Sequence, residues 1–178
     1  MRSKKIFFLV FALIILSIPA YLIFSSEDVL ENGNRHKIRL QGYDPFDPFR
    51  GKYLRLNYDD LVPCDFELDK GELAYVVFEK DSLGFSNFSY AYANQPGHND
   101  FLKTTVLYIS NGQARIKLDN ITKYFINESK AAAAENLIQD FTRNRPNDIY
   151  VAIRVLDGEV RLEDIFVEET PLLDYLDK

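Results

Sequence analysis

The sequence predicts an α+β domain, mainly antiparallel β with about eight strands and one helix, behind a single N-terminal transmembrane helix. Three observations predict it. An uncharged apolar run of 19 residues lies near the N-terminus, the length of a membrane-spanning helix. Alternating apolar and polar runs follow, two pairs of them separated by Asn111-Gly112 and Asp157-Gly158, dipeptides typical of tight β-hairpins. One later segment has the composition of a helix.

The N-terminal segment predicts a membrane anchor. Residues 1–5 carry three positive charges and no acid, and residues 6–24 carry no charge. As a helix this run reaches roughly 28 Å, close to the ~30 Å thickness of the hydrocarbon core. Acidic residues follow it, so the positive-inside rule predicts a cytoplasmic N-terminus. The alternative is a cleaved signal peptide, whose apolar core is about 7–15 residues, and no Ala-x-Ala pattern follows the run.

The anchor divides the chain. Residues 1–5 are predicted as a basic cytoplasmic tail, 6–24 as the transmembrane helix, 25–35 as a polar linker and 36–178 as an extracytoplasmic or periplasmic domain of a single-pass cell-membrane protein. The chain has 21 basic and 27 acidic residues. Three of the basic residues precede the apolar run, which leaves 18 against 27, a net charge of −9, for the remainder. This charge argues against a nucleic-acid partner.

The predicted strands show alternation of apolar and polar side chains. In 36–42, Ile38 and Leu40 share one side, and 43–51 contains two Asp-Pro pairs that predict a stiff, non-helical connection. In 52–58 the side predicted to face inward consists of Leu54, Leu56 and Tyr58. A strand at 72–79 is apolar on both faces, as a central strand should be. The remaining strands are predicted at 85–92, 104–110, 113–118, 148–156 and 159–168.

One helix is predicted over Lys130–Phe141, with Asn127 or Ser129 as its N-cap. Its apolar face consists of Leu137, Ile138 and Phe141. Asn144 and Pro146 are expected to end it. The only cysteine, Cys64, excludes an internal disulfide and is interpreted as a small half-buried apolar residue.

A motif within the second strand resembles that of a known family. Gly51–Tyr58 (GKYLRLNY) resembles the motif that names the GDYXXLXY family of bacterial membrane-anchored proteins, with Lys52 in place of the motif's Asp. Asp44–Phe49 resembles the family's Asp-Pro-rich lead-in, Lys123–Glu128 an aromatic-rich segment before the helix, and the closing hairpin the family's last one. The resemblance implies an anchor and an exported domain, and it implies no particular activity. A role that needs a carboxylate at Lys52 does not transfer.

The motif has two interpretations. In the structural one, Gly51 permits a positive φ or a close backbone approach, and the inward-facing side chains pack in the core. In the binding one, Tyr53 and Arg55 present a contact surface, because Tyr and Arg are enriched at interaction hot spots. The residues that belong to the motif or to a possible contact surface are Arg50, Gly51, Tyr53, Arg55, Leu56 and Tyr58.

No catalytic, metal or cofactor site is predicted. The two histidines, His36 and His98, lie far apart in sequence without a metal-ligand spacing. A calcium site would need acids to converge, and these more often serve in turns: Asp44, Asp47, Asp59, Asp60 and Asp65. The layout resembles that of a signal peptidase, but Ser25-Ser26 is followed by Glu27-Asp28, and no lysine stands out as the base that the serine would need.

The favoured hypothesis is therefore a non-enzymatic accessory or interaction module, with no cofactor, held in the membrane by residues 6–24 beside a membrane protein or an envelope component. The alternative is a binding module for a small ligand or a cell-envelope fragment, which predicts a concave pocket lined by Tyr and Phe. A signal-peptidase-like hydrolase comes third and predicts a Ser–Lys or paired-carboxylate geometry.

Overall fold

The structure, a computed structural model, describes residues 2–41, 53–97 and 100–178. Its helices are α1 (Arg2–Asn32), α2 (Glu128–Asn144) and α3 (Leu172–Leu176). The strands are β1 (Asn34–Arg39), β2 (Tyr53–Arg55), β3 (Leu61–Pro63), β4 (Leu73–Lys80), β5 (Ser86–Tyr92), β6 (Phe101–Ser110), β7 (Gln113–Ile116), β8 (Lys123–Phe125), β9 (Ile149–Leu156), β10 (Glu159–Val167) and β11 (Thr170–Pro171).

The predicted fold class is confirmed: every pairing between these strands is antiparallel. The described residues form eleven strands rather than about eight. The additional strands have two or three residues each, too few for alternation to appear in the sequence. The predicted Asp-Pro connection at 43–51 lies outside the described residues, as do Gly51, Lys52 and His98.

Both predicted hairpins are confirmed. Asn111 and Gly112 have φ of 53° and 74°, and Asp157 and Gly158 have φ of 50° and 86°. Two consecutive positive φ values are the signature of the type I′ turn, whose twist matches that of the flanking strands. The turns fix the registers Ser110↔Gln113 and Leu156↔Glu159.

The strands form three sheets. A five-stranded sheet has the order β3-β7-β6-β4-β5, and a four-stranded sheet has the order β1-β9-β10-β11. Strands β2 and β8 form a two-stranded sheet. The five-stranded sheet curls so that its two edge strands, β3 and β5, come together. Directly after β3, Cys64 pairs with Ala91 on β5, and the amide of Asp65 donates to the carbonyl of Ala91 at 3.0 Å. As predicted, β4 is central, between β5 and β6.

Helix α2 covers the core between these sheets. Asn127 is its N-cap, and its side chain accepts a bond from the amide of Ser129 at 3.3 Å. Ala134, Ile138 and Phe141 are buried, whereas Leu137 is half-buried. The helix therefore has the predicted apolar face, shifted toward Ala134.

Helix α1 has two parts that differ in their surroundings. The large apolar side chains described between Phe7 and Phe24 are all 51–77 % exposed, and a helix apolar on all sides needs an apolar surrounding. The segment Phe11–Asn32 is long and apolar enough to cross a membrane. The segment 25–35, expected as a linker, is helical as far as Asn32 and forms a strand from Asn34.

The last residues of α1, 25–32, differ from the apolar part in that they contact the domain. Val29 is buried, and the guanidinium of Arg161 on β10 donates to the Ser26 hydroxyl at 3.0 Å. Arg154 on β9 donates to the carbonyl of Gly33 at 3.1 Å. A Cβ on Gly33 would lie 2.4 Å from the carbonyl oxygen of Val29. The same Cβ would lie 3.0 Å from the amide nitrogen of Val155 on β9, so glycine permits the close approach of the chain both to the end of α1 and to β9.

Candidate functional site

The described side chains of the Gly51–Tyr58 motif alternate between a buried side and an exposed side. Leu54, Leu56 and Tyr58 are 0 %, 2 % and 7 % exposed, so the predicted inward side is confirmed. Tyr53 is half-buried and Arg55 is exposed. Strand β2 ends at Arg55, but the amide of Leu56 still donates to the carbonyl of Thr122 at 2.9 Å.

The buried tyrosine of the motif has a structural contact. The hydroxyl of Tyr58 donates to the carbonyl of Ile121 at 2.6 Å. Burial raises the pKa of this phenol well above its ordinary value, because the anion would lose its hydration. This bond ties the end of the motif to the turn before β8.

Strand β8 completes the exposed half of the motif. Tyr53 pairs with Phe125 and Arg55 pairs with Lys123 in the antiparallel register. These four residues lie on one side of the two-stranded sheet, because alternate side chains of a strand share a face. We call them the motif face. The sequence pointed to Tyr53 and Arg55 as a contact surface. It placed Lys123 and Phe125 in a family-like segment but predicted no strand there, because β8 has only three residues.

Aromatic and cationic groups alternate across the motif face. The rings of Tyr53 and Phe125 meet edge to face, with centroids 5.9 Å apart. The Lys123 ammonium lies 5.5 Å from the centroid of the Tyr53 ring, within cation–π range. Phe125 is 72 % exposed. A single exposed aromatic ring is common on protein surfaces. This ring, however, also forms the edge of a concave surface.

That surface is an open groove of about 450 Å³ beside the motif face. It is lined by Phe125, Ile126, Asn127, Glu128 and Leu173. Phe125 ends β8, Ile126 follows it and Leu173 belongs to α3, while the polar members Asn127 and Glu128 lie at the N-terminal end of α2. Among the described residues that line it, Phe125 alone is aromatic, so this groove is not the Tyr- and Phe-lined pocket expected for a small-ligand module.

A second cluster, not predicted from the sequence, surrounds His36. Its Nδ1 lies 3.0 Å from the hydroxyl of Ser86, and its Nε2 lies 3.3 Å from a carboxylate oxygen of Asp100. The ring stacks on Phe78 at 4.4 Å. Burial lowers the pKa of the imidazole, and the charge of Asp100 opposes this effect in part. The cluster joins β1, β5 and the start of β6.

Serine, histidine and aspartate are the residue types of a hydrolase triad. A nucleophile must reach its substrate, however, and Ser86 is 0 % exposed. The arrangement is therefore suited to holding strands together rather than to acyl transfer. Ser26, which the signal-peptidase comparison brought forward, accepts a bond from Arg161, and a guanidinium cannot serve as a base at ordinary pH.

Two of the acids considered for calcium, Asp60 and Asp65, form local contacts. Asp60 forms an ion pair with Arg115 at 2.8 Å, and Asp65 accepts bonds from the amide of Ala93 and the hydroxyl of Tyr90. Within the described ranges, no three His, Cys, Asp or Glu side chains are placed to hold a metal ion. Asp44 and Asp47 lie outside those ranges.

Comparison with known proteins identifies a family. The model of the family described as GDYXXLXY protein matches residues 15–165. Neither a curated protein nor a solved structure matches the chain. The matched region begins within α1 and ends within β10, so it includes both strands of the motif face.

Proposed function

This chain belongs to the GDYXXLXY protein family, and we propose that it is a membrane-anchored interaction module that presents the motif face to a membrane protein or envelope component outside the cytoplasm. The single observation that carries the proposal is the exposure of Phe125 beside Tyr53 and Arg55. Tyr and Arg are the residue types that dominate the binding energy of protein interfaces.

The division of the motif supports this proposal. Folding accounts for Leu54, Leu56 and Tyr58, which are buried in the core. It does not account for Tyr53, because a strand that needs only one buried side accepts many polar residues on the other. A contact surface would explain this tyrosine, and the exposed Arg55 lies on the same side of the sheet.

Helix α1 supports the membrane location. Its apolar surface has no covering within the described chain as far as Phe24, and lipid would provide one. Confinement of the domain and its partner to one membrane raises their effective concentration. A contact surface as small as the motif face then suffices for association.

The test is cross-linked capture of the full-length protein from its native membrane. The Tyr53→Ala/Arg55→Ala variant is compared with a control, Tyr108→Ala/Arg143→Ala, which removes the same residue types from exposed positions elsewhere. We expect the wild type and the control to capture one membrane or envelope component that the motif variant loses. Equal capture by all three proteins, or by none, contradicts the proposal. Circular dichroism verifies that the variants fold.

A second candidate, binding of a small envelope fragment, rests on the concave shape of the groove beside the motif face rather than on an aromatic lining. Calorimetric titration with soluble cell-wall fragments tests it. Binding that Leu173→Arg removes and Tyr53→Ala/Arg55→Ala leaves unchanged would favour this candidate, because Leu173 lines the groove. The reverse pattern would favour the interaction module.

A further inference from the structure

We propose that the motif face binds an acidic segment of a partner protein, and that an apolar side chain of the same segment enters the neighbouring groove. The inference rests on the proposed function and specifies the chemistry of the partner. It is carried by two features of the described residues, a pair of opposed cations and an apolar wall beside them.

The two cations of the motif face are directly opposed. Arg55 pairs with Lys123 across the β2–β8 ladder. Because Leu56 donates to Thr122 one step further along, the Arg55–Lys123 pair is the non-hydrogen-bonded kind, in which side chains approach most closely. Like charges in such positions destabilise a sheet. Among the described residues, no carboxylate forms an ion pair with either cation.

Most other arginines in the described domain do have carboxylate partners. Ion pairs within the described residues are formed by Arg35, Arg39, Arg115, Arg145, Arg154 and Arg161. The chain beyond its N-terminal tail has a net charge of −9, with 27 acids. In a domain so rich in acid, an opposed pair of cations that has no carboxylate partner among the described residues is a local excess of positive charge. Carboxylates from outside would offset the repulsion and add to affinity.

The apolar side of the site argues for a protein segment rather than an anionic envelope polymer. Phe125, Ile126 and Leu173 form an apolar wall of the groove. A phosphate polymer could neutralise Arg55 and Lys123, but it would leave this wall uncovered. An aromatic or aliphatic side chain would cover it and would gain affinity from the removal of apolar surface from water.

The direction of the segment follows from Glu128. This carboxylate lines the groove, whereas Arg55 and Lys123 pair on the β2–β8 ladder and are not among the described lining residues. An acidic residue would be repelled there. The acids of the partner segment therefore lie over Arg55 and Lys123, and its apolar residue lies against Phe125 and Leu173.

The experiment uses the full-length protein in detergent micelles and fluorescence anisotropy. The probe is a 12-residue peptide with four Asp residues followed by Phe-Leu. Three comparison probes replace the four Asp by Asn, replace Phe-Leu by Ala-Ala, or consist of poly(glycerol phosphate). We expect the first probe to bind the wild type most tightly, with affinity that falls as salt is added because exposed charge pairs are screened.

Charge reversal supplies the matched variants. Arg55→Glu/Lys123→Glu is compared with Lys70→Glu/Lys103→Glu, which makes the same change in net charge at two exposed lysines elsewhere. We expect the first variant to weaken binding of the acidic probe at least about tenfold, since two pairs are lost and two repulsions added, and the second to weaken it less than about twofold.

Several outcomes would overturn the proposal. Equal weakening by both variants would show a response to net charge alone, and tighter binding of poly(glycerol phosphate) would identify a polymer site. Tighter binding of the Asn probe than of the four-Asp probe would reject an acidic partner. The capture experiment tests the interaction module separately, so that proposal would stand or fall on its own result. Binding of the acidic probe only after Asp44→Asn/Asp47→Asn would show that carboxylates of this chain already occupy the cations.

Discussion

The hydroxyl of Tyr124 on β8 donates a hydrogen bond to the carboxylate of Asp164 on β10 at 2.8 Å. Asp164 follows a β-bulge, where the register between β9 and β10 shifts after Leu162. The extra residue, Glu163, accepts bonds from Arg35 at 3.1 Å and from Arg154 at 2.6 Å. Asp164 thus joins the four-stranded sheet to the strand that carries half of the motif face, while Glu163 links β1 and β9 within the sheet.

Tyr124→Phe should destabilise the domain by about 1–2 kcal/mol, the usual loss for a partly buried hydrogen bond to a charged group. Asp164 would keep its bond from the amide of Ile165, which limits the loss. Urea unfolding in detergent, followed by near-ultraviolet circular dichroism, measures the change. Tyr92→Phe, at a more exposed tyrosine, is the control, and a loss of equal size there would contradict the assignment.

Alkaline pH should unfold the protein through its buried tyrosines. Burial is the main cause that raises the pKa of both Tyr58 and Tyr124 above the ordinary value of 10. A raised folded-state pKa means that the stabilisation is complete below pH ~10 and is lost above it, as the unfolded chain ionises more readily. The melting temperature should therefore fall above pH ~10. The double variant Tyr58→Phe/Tyr124→Phe should show a shallower fall, and an unchanged slope would reject this explanation.

Mild acid should destabilise the protein through His36. Burial lowers its pKa, while Asp100 raises it and Lys80 lowers it further. With a folded-state pKa below the ordinary 6.5, stability is complete above pH ~6.5 and declines as pH falls toward the folded-state value, because the unfolded chain takes up the proton first. The His36→Gln variant should lose this dependence on pH below the ordinary histidine value of ~6.5. A parallel decline in both proteins would assign it to other groups.

Gly33→Ala should cost about 1–3 kcal/mol, as overpacking typically does. The new Cβ would lie 2.4 Å from the carbonyl oxygen of Val29 and 3.0 Å from the amide nitrogen of Val155, and neither backbone atom can move freely. Gly97→Ala is a matched control, because a Cβ there meets nothing within 4 Å. Thermal unfolding of the two variants should differ clearly, and equal melting temperatures would contradict the tight packing of α1 against β9.

The turn between β10 and β11 contains two strained residues. Glu168 and Glu169 have φ of 49° and 65°, which costs a non-glycine residue about 1–2 kcal/mol. Glu168→Asn should relieve part of this strain and stabilise the domain by up to about 1 kcal/mol, since its exposed ion pair with Arg145 contributes little. Glu169→Asn should not stabilise it, because Glu169 binds Lys37 and the buried Tyr150. Chemical denaturation of both variants measures the contrast.

The sequence predicted the local features well. Alternation placed Ile38, Leu40 and Leu54 in the core, and Asn111-Gly112 located a hairpin, because each depends on neighbouring residues. Partners distant in the chain left no such pattern. His36 meets Ser86 from 50 positions away, and nothing in either segment encodes the other.

The candidate site was half predicted for the same reason. Tyr53 and Arg55 stand on a strand with visible alternation. Lys123 and Phe125 stand on a strand of three residues, whose pairing with β2 is set by the packing of the whole core. Only the register of that pairing makes Arg55 and Lys123 neighbours.

Helix α1 has a consequence for how any partner is met. It runs without interruption to Asn32, and its end is fixed to the domain through Ser26, Val29 and Gly33. If α1 spans the bilayer, no flexible linker separates it from the domain. The motif face then has a fixed distance from the membrane surface and a fixed orientation relative to it. A partner that pulls on that face would tilt or turn the helix within the membrane.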